Sequence, residues 1–289
     1  MDKIKGLILI LRPVNCFMMG GAVLIGELIA YETLFIALPS LLGFITSFSL
    51  TGASMVVNDF LDRFVDMINA PTRPIPSQLV SEKAALLYAS FLSLIGLTAA
   101  YFTNLSCLAI GGASLIVSAI YSYKGKEMGL IGNFMVSFCV TLPLFYGGFL
   151  YNSFSWSSSG LLSLAFYTLM AFLANTGREI TKGIIDTEGD KLRNVRSIAL
   201  QFGDRVAANL AGFFYLLVVG LSIFPWILDI VSWHYLPFVI ISDLGFIISS
   251  VKLMKKSSRE NAKKGKKMIL LSLGIGLIAI IAGRIGTDF

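Results

Sequence analysis

NDFLDRFVDMINAPTRPIP, residues 58–76, follows a long apolar run and opens with Asn58, Asp59, Asp62 and Asp66. At about 100° per residue along a helix these four side chains fall at about 0°, 100°, 40° and 80°, so all share one face. Three carboxylates and an amide in that small sector raise one another's pKa unless a cation sits among them. Oxygen donors at this density suit a hard divalent ion such as Mg²⁺ or Ca²⁺ better than zinc. The competing reading is a solvated acidic turn after an apolar helix. The rest of the chain weighs against it.

Of the 289 residues 56% are hydrophobic and only 14% charged, with mean hydropathy +0.79, which is outside the range of soluble domains. The chain reads as an all-α, polytopic membrane bundle forming a single domain over residues 1–289. A short apolar segment at 4–11 reads as interfacial, leading to Arg12, and Pro13 suits the first position of a helix. Nine runs then have the roughly 20 residues needed to cross a hydrocarbon core of ~30 Å. They lie at about 13–31, 34–57, 83–101, 104–123, 128–150, 159–180, 207–228, 235–252 and 268–286. Cys16, Cys107 and Cys139 lie inside apolar runs without paired spacing, so neither a disulfide framework nor a zinc site is indicated. No cleavable signal peptide stands out. His234, between Trp233 and Tyr235, fits an interfacial aromatic belt. Nothing in the composition calls for a nucleic-acid partner.

The basic residues test this count. With nine spans, 22 of the 23 Lys and Arg fall on the side that holds the N-terminus, and only Arg284 falls on the other. The positive-inside rule therefore places the N-terminus in the cytoplasm and the C-terminus outside the cell membrane. The cluster from Lys252 to Lys267 reads as a topology and lipid-headgroup signal, with no catalytic role. The inner connections at 58–82 and 181–206 are long and polar, the usual place for function on a helical bundle.

The sixth span runs into REITKGIIDTEGDKLRNVRS, where Arg178, Lys182, Asp186 and Asp190 are each four residues apart. On a continuous helix they occupy about 120° of one face, two cations below two anions. Glu188 points away from them, although Gly189 could break the helix and move Asp190. Both acidic stripes emerge at cytoplasmic helix ends. With Arg73, Lys124, Arg178 and Lys182 nearby, they describe a place for metal ions and a polyphosphate. Magnesium favours one or two carboxylates together with phosphate oxygens and water, which a diphosphate supplies. Metal and basic side chains would stabilise the charge of a departing diphosphate. An allylic cation left behind would need the dry, aromatic-rich interior of such a bundle.

NDxxDxxxD (Asn58, Asp59, Asp62, Asp66), the following RPIPS (Arg73 to Ser77) and the later REITKGIIDTEGD with its pair Asp186 and Asp190 resemble the two signatures of the UbiA-type intramembrane prenyltransferases. The resemblance implies nine helices around a lipid-accessible central chamber, an active site on the cytoplasmic side and two Mg²⁺ ions held between the motifs. It implies prenyl transfer from a diphosphate, with Asp62, Asp66, Asp186, Asp190 and Lys124 catalytic. By the same likeness Arg12 and Asn15 would line the chamber, and Tyr121, Tyr123 and Lys124 would lie near the diphosphate with Arg73, Arg178 and Lys182. Gln78 stands where relatives commonly have glycine.

NAPTRPIPS and REITKGIIDTEGD look most like the archaeal members that transfer a geranylgeranyl group to geranylgeranylglyceryl phosphate, forming the second ether bond of archaeal lipids. On that reading the acceptor's phosphate needs cations at the cytoplasmic rim, with Arg63, Lys191 and Arg193 as candidates. An aromatic acceptor such as 4-hydroxybenzoate is the alternative within the family. A divalent-cation transporter is the alternative outside it, but transporters place ionisable groups near the bilayer midplane, whereas these acids gather at one surface, with Asp243, inside the eighth span, as the exception. A CDP-alcohol phosphotransferase would carry a DGxxAR signature, which is absent.

Overall fold

The computed structural model describes residues 2–31, 37–151, 158–187 and 195–284, and among them every extended element is helical. The helices are α1 (Asp2–Leu11), α2 (Pro13–Tyr31), α3 (Leu38–Asn69), α4 (Glu82–Thr103), α5 (Leu105–Tyr123), α6 (Leu130–Gly147) and α7 (Ser158–Ile185). They continue with α8 (Ile198–Phe202), α9 (Asp204–Ser222), α10 (Phe224–Ile227), α11 (Tyr235–Lys255) and α12 (Arg259–Ala282). Among the described residues, eight stretches are long and apolar enough to cross a membrane: α2, Leu38–Ile68 of α3, α4, α5, α6, Asp204–Ile227, α11 and α12. The remaining stretch expected to span, 159–180, lies within the continuous helix α7. The protein is a multi-pass membrane protein.

The two largest differences from the boundaries read in the sequence have one reason. Helix α3 continues 12 residues beyond the apolar run ending at 57, through the whole acidic stretch to Asn69. Helix α12 begins at Arg259 rather than near 268, so most of the lysine cluster is helical. Polar residues propagate a helix that an apolar run has nucleated, since Lys, Arg and Glu are good helix formers. In α12 the start is fixed by Ser258, whose hydroxyl accepts from the amide of Asn261 at 3.3 Å, and by the Lys264–Glu260 pair one turn apart at 2.6 Å.

The chain divides into two compact units, Met1–Gly125 with Leu142–Ser155 and Lys126–Thr141 with Trp156–Phe289. In the first, α3 packs against α2, α4 and α5. The N-terminal segment is not merely interfacial: Ile10 of α1 is fully buried in a cluster with Val56, Ile75, Val80 and Ala85. Helix α2 approaches the end of α6 backbone to backbone, because a Cβ at Gly26 would overlap the carbonyl of Leu144 and one at Gly147 that of Val23. Glu27, fully buried within a span, accepts hydrogen bonds from Ser40 at 2.8 Å and Tyr151 at 2.9 Å. Asn104 joins α4 to α5, accepting from the amide of Cys107 at 2.8 Å and donating to the carbonyl of Phe149 at 2.7 Å.

In the second unit, Ile180 and Ile184 of α7, Ala207 and Ala211 of α9, Phe246 of α11 and Ala262 and Ile269 of α12 share one core. Hydroxyls join the helices where water is absent: Thr176 donates to Ser137 at 2.9 Å, and Ser242 to the carbonyl of Ser272 at 2.8 Å. Asp243 accepts from Ser222 at 2.7 Å, an arrangement internal to this unit.

Candidate active site

Helix α3 has 32 residues, about 48 Å of helix against a ~30 Å hydrocarbon core, so its acidic turns reach the membrane border. Their face is turned inward. Asp59, Asp62 and Asp66 are only 3%, 8% and 2% exposed, which excludes a solvated acidic turn. Two arginines from outside the helix supply the compensation that buried carboxylates need. Arg12 contacts Asp59 at 2.5 Å; Arg73 contacts Asp66 at 2.5 Å and Asp59 at 3.6 Å. The Asn58 amide donates to Asp62 at 3.1 Å. Among the described residues, the cluster thus brings together at least three carboxylates and two guanidiniums. Burial opposes the charge on Arg73, but Asp59 and Asp66 outweigh it and raise its pKa, so Arg73 stays protonated.

Each arginine is aimed by its backbone. Arg12 is the hinge between α1 and α2, with φ +52° immediately before Pro13. A residue before proline is disfavoured in the right-handed helical region, and the left-handed alternative costs about 1–2 kcal/mol. The short Arg12–Asp59 pair accompanies that unfavourable backbone. Arg73 sits in a loop of successive turns, with amide-to-carbonyl bonds from Ser77 to Arg73 at 2.9 Å and from Val80 to Pro74 at 2.9 Å. Gln78, which closes this loop, has φ +62°. That conformation favours glycine. Gln78→Gly is therefore expected to leave activity unchanged and thermal stability equal or slightly higher, by up to about 1 kcal/mol, in a melting experiment.

The acidic face continues down α3 as an apolar one. Counting about 100° per residue, Phe44, Phe48, Met55, Asp59, Asp62 and Asp66 lie within roughly 60° of one another. Phe17 of α2 lies against this stripe, its ring centroid 6.1 Å from that of Phe44 and 5.1 Å from that of Phe48. A charged head region therefore stands at one end of an aromatic track. Asn15, two residues before Phe17 on α2, is half-buried.

Other expected residues fall elsewhere. Arg63 lies between the rings of Phe60 and Phe64, at 4.3 and 4.2 Å from their centroids, and pairs with Glu82 at 3.0 Å. Tyr121 is half-buried near the end of α5, while Tyr123 and Lys124 are exposed at that end. In the second unit, Arg178 and Lys182 converge on Glu179, at 3.1 and 2.7 Å, and Glu179 is 7% exposed. Sequence reasoning passed over Glu179. Its signal was a carboxylate between two cations on a helix, three residues before Lys182. Asp186 is exposed at the end of α7, its amide still bonded to the carbonyl of Lys182 at 3.0 Å. Glu188, Gly189, Asp190, Lys191 and Arg193 lie outside the described residues.

The donor set suits a hard cation that brings its own oxygens. Among the described residues no three His, Cys, Asp or Glu side chains come together as a ready-made metal cage. Buried carboxylates partly neutralised by arginines fit an ion that also binds phosphate and water better than one enclosed by protein alone.

Residues 20–273 match the UbiA prenyltransferase family. A digeranylgeranylglyceryl phosphate synthase from Pyrococcus furiosus is 32% identical over 285 residues, covering 98% of this chain and 98% of the relative. A solved structure concerned with digeranylgeranylglyceryl phosphate synthase in membranes is similar with TM-score 0.81 and 31% identity, over 99% of both chains. A UbiA homologue from Archaeoglobus fulgidus bound to GPP and Mg²⁺ shares the fold, with TM-score 0.66 and 17% identity over 96% of this chain and 99% of that one.

Proposed function

Because the chain belongs to the UbiA prenyltransferase family, we propose that it transfers a geranylgeranyl group from geranylgeranyl diphosphate to the free hydroxyl of geranylgeranylglyceryl phosphate. The observation that carries this reading is the buried face of Asp59, Asp62 and Asp66, met by Arg12 and Arg73 and continuous with the track of Phe44, Phe48 and Phe17. A diphosphate with an apolar tail has the same polarity pattern. The name shared by the relatives supports the choice of acceptor.

On this proposal the oxygen donors of both motifs, the Asn58 amide and the carboxylates of Asp59, Asp62, Asp66, Asp186 and Asp190, would hold two Mg²⁺ ions with the donor's diphosphate. A bound Mg²⁺ would supply positive charge that offsets the charge building on the leaving group. Arg73, Arg178, Lys182, Lys124, Tyr121 and Tyr123 bind the diphosphate oxygens. Arg12 and Asn15 border the prenyl chain where it enters the apolar stripe, which keeps water from the allylic carbon. The carbon–oxygen bond to diphosphate breaks, the acceptor's hydroxyl oxygen bonds to that carbon, and its proton passes to the released diphosphate. The whole chain acts as one catalytic domain, with the N-terminus cytoplasmic and the C-terminus outside, in keeping with the distribution of Lys and Arg. Transport is the weaker reading because Asp243 is engaged by Ser222.

The test offers purified enzyme geranylgeranyl diphosphate with geranylgeranylglyceryl phosphate and 4-hydroxybenzoate in competition, with products identified by mass spectrometry. The diether phosphate is expected, EDTA should stop its formation, and Mg²⁺ should restore it. Product from the benzoate alone would remove this reading of the acceptor.

A further inference from the structure

The lysine cluster at the start of α12 does not point uniformly to water. Lys263, Lys264 and Lys267 are exposed, and Lys264 is paired with Glu260. Lys266 is half-buried, on the side of the helix where Ala262 and Ile269 are fully buried against Ile180 and Ile184 of α7. At about 100° per residue Lys266 lies roughly 40° from Ala262, so the packing of α12 on α7 carries it inward. The charges acting on it are Lys182, Arg178 and Glu179 of α7 and Asp186 just beyond its end. Arg178 and Lys182 already share Glu179, at 3.1 and 2.7 Å. Among the described residues no hydrogen bond or ion pair engages the Lys266 ammonium. A third cation brought beside two others without an anion of its own is held against repulsion by helix packing, and the arrangement is favourable once an anion arrives.

We propose that Lys266, together with Arg178 and Lys182, forms a three-cation site that holds a substrate phosphate at the end of α7. The other cation considered for the acceptor's phosphate and described by the structure, Arg63, is occupied by Glu82 and two phenylalanine rings. The chemistry recognised is that of a phosphate oxyanion, which either the donor's diphosphate or the acceptor's phosphomonoester presents. The identity of those substrates rests on the prenyl-transfer reading above, while the existence of the site does not.

The experiment compares wild type, Lys266→Gln, Lys266→Arg and Lys266→Met, with Lys263→Gln as a control on the exposed face of the same helix. KM is measured separately for geranylgeranyl diphosphate and for geranylgeranylglyceryl phosphate, and the Kd for inorganic diphosphate with Mg²⁺ is measured by calorimetry. Lys266→Gln is expected to weaken at least one of these phosphates about tenfold, with Lys266→Arg restoring most of the loss and Lys263→Gln unchanged. A rise confined to the acceptor's KM assigns the site to the phosphomonoester; a rise in the donor's KM or in the diphosphate Kd assigns it to the donor. If Lys266→Gln does not fold, Lys266→Met keeps the packed stem and removes only the charge. Values within twofold of wild type for all three phosphates would overturn the proposal. Absence of any prenylated product from wild type would instead refute the transfer reading, and the calorimetric comparison would still decide the role of Lys266.

Discussion

Asp62→Ala is expected to lower kcat for prenyl transfer by about 10²–10³-fold or more while the folded protein melts at or above the wild-type temperature. The two halves of that expectation have one origin. Asp62 lies 8% exposed on the same face as Asp59 and Asp66, close enough to add its negative charge to theirs, while Arg12 pairs with Asp59 and Arg73 with Asp66. Removing the third carboxylate relieves like-charge repulsion in a buried setting, so the fold loses little. It also removes an oxygen donor where a metal and the departing diphosphate need one. Asp62→Asn, which keeps shape and removes charge, should be almost as inactive. Product formation and thermal unfolding on the same preparation check both halves. A variant that turns over normally but melts early would show that Asp62 serves packing alone.

The second large effect separates stability from catalysis at the neighbouring pair. Arg73→Gln leaves Asp66, 2% exposed, without the guanidinium 2.5 Å away, and deprives Asp59 of one of its two cations. Breaking a buried pair from one side costs about 3–5 kcal/mol; with the Arg73 side chain 36% exposed to solvent screening, about 1–3 kcal/mol is expected. The double variant Asp66→Asn with Arg73→Gln removes both charges, and most of the lost stability should return. Activity should return in neither, because the diphosphate then lacks a cation and the metal a carboxylate. Recovery of turnover in the double variant would mean that the pair only braces the end of α3. Melting temperatures in one detergent, beside initial rates at saturating donor, make the comparison.

Much of this architecture was legible in the residues because it rests on local periodicity. The apolar runs match helices closely where a proline marks their start, as at Pro13 of α2. They fell short where a helix continues into polar residues, as in α3 and α12, since hydropathy measures partition into lipid rather than helix formation. The single face of Asp59, Asp62 and Asp66 could be read from spacing, and burial agrees with it. Glu179 escaped notice because it sits one position from Arg178, and adjacency on paper hides the fact that both Arg178 and Lys182 reach it.

The sequence by itself determined a bundle of apolar membrane helices, the uneven distribution of Lys and Arg along it, and the acidic stripe of α3 confined to one helix face. All of these follow from the 3.6-residue turn and the cost of placing charge in hydrocarbon. Only the tertiary structure decided which cations answer those acids. Arg12 lies 47 residues from Asp59, the acid it pairs with. Such meetings depend on which faces of separate helices pack together and on a left-handed turn at Arg12. Packing partners are chosen by the fit of whole surfaces, so no spacing within one helix could have announced them.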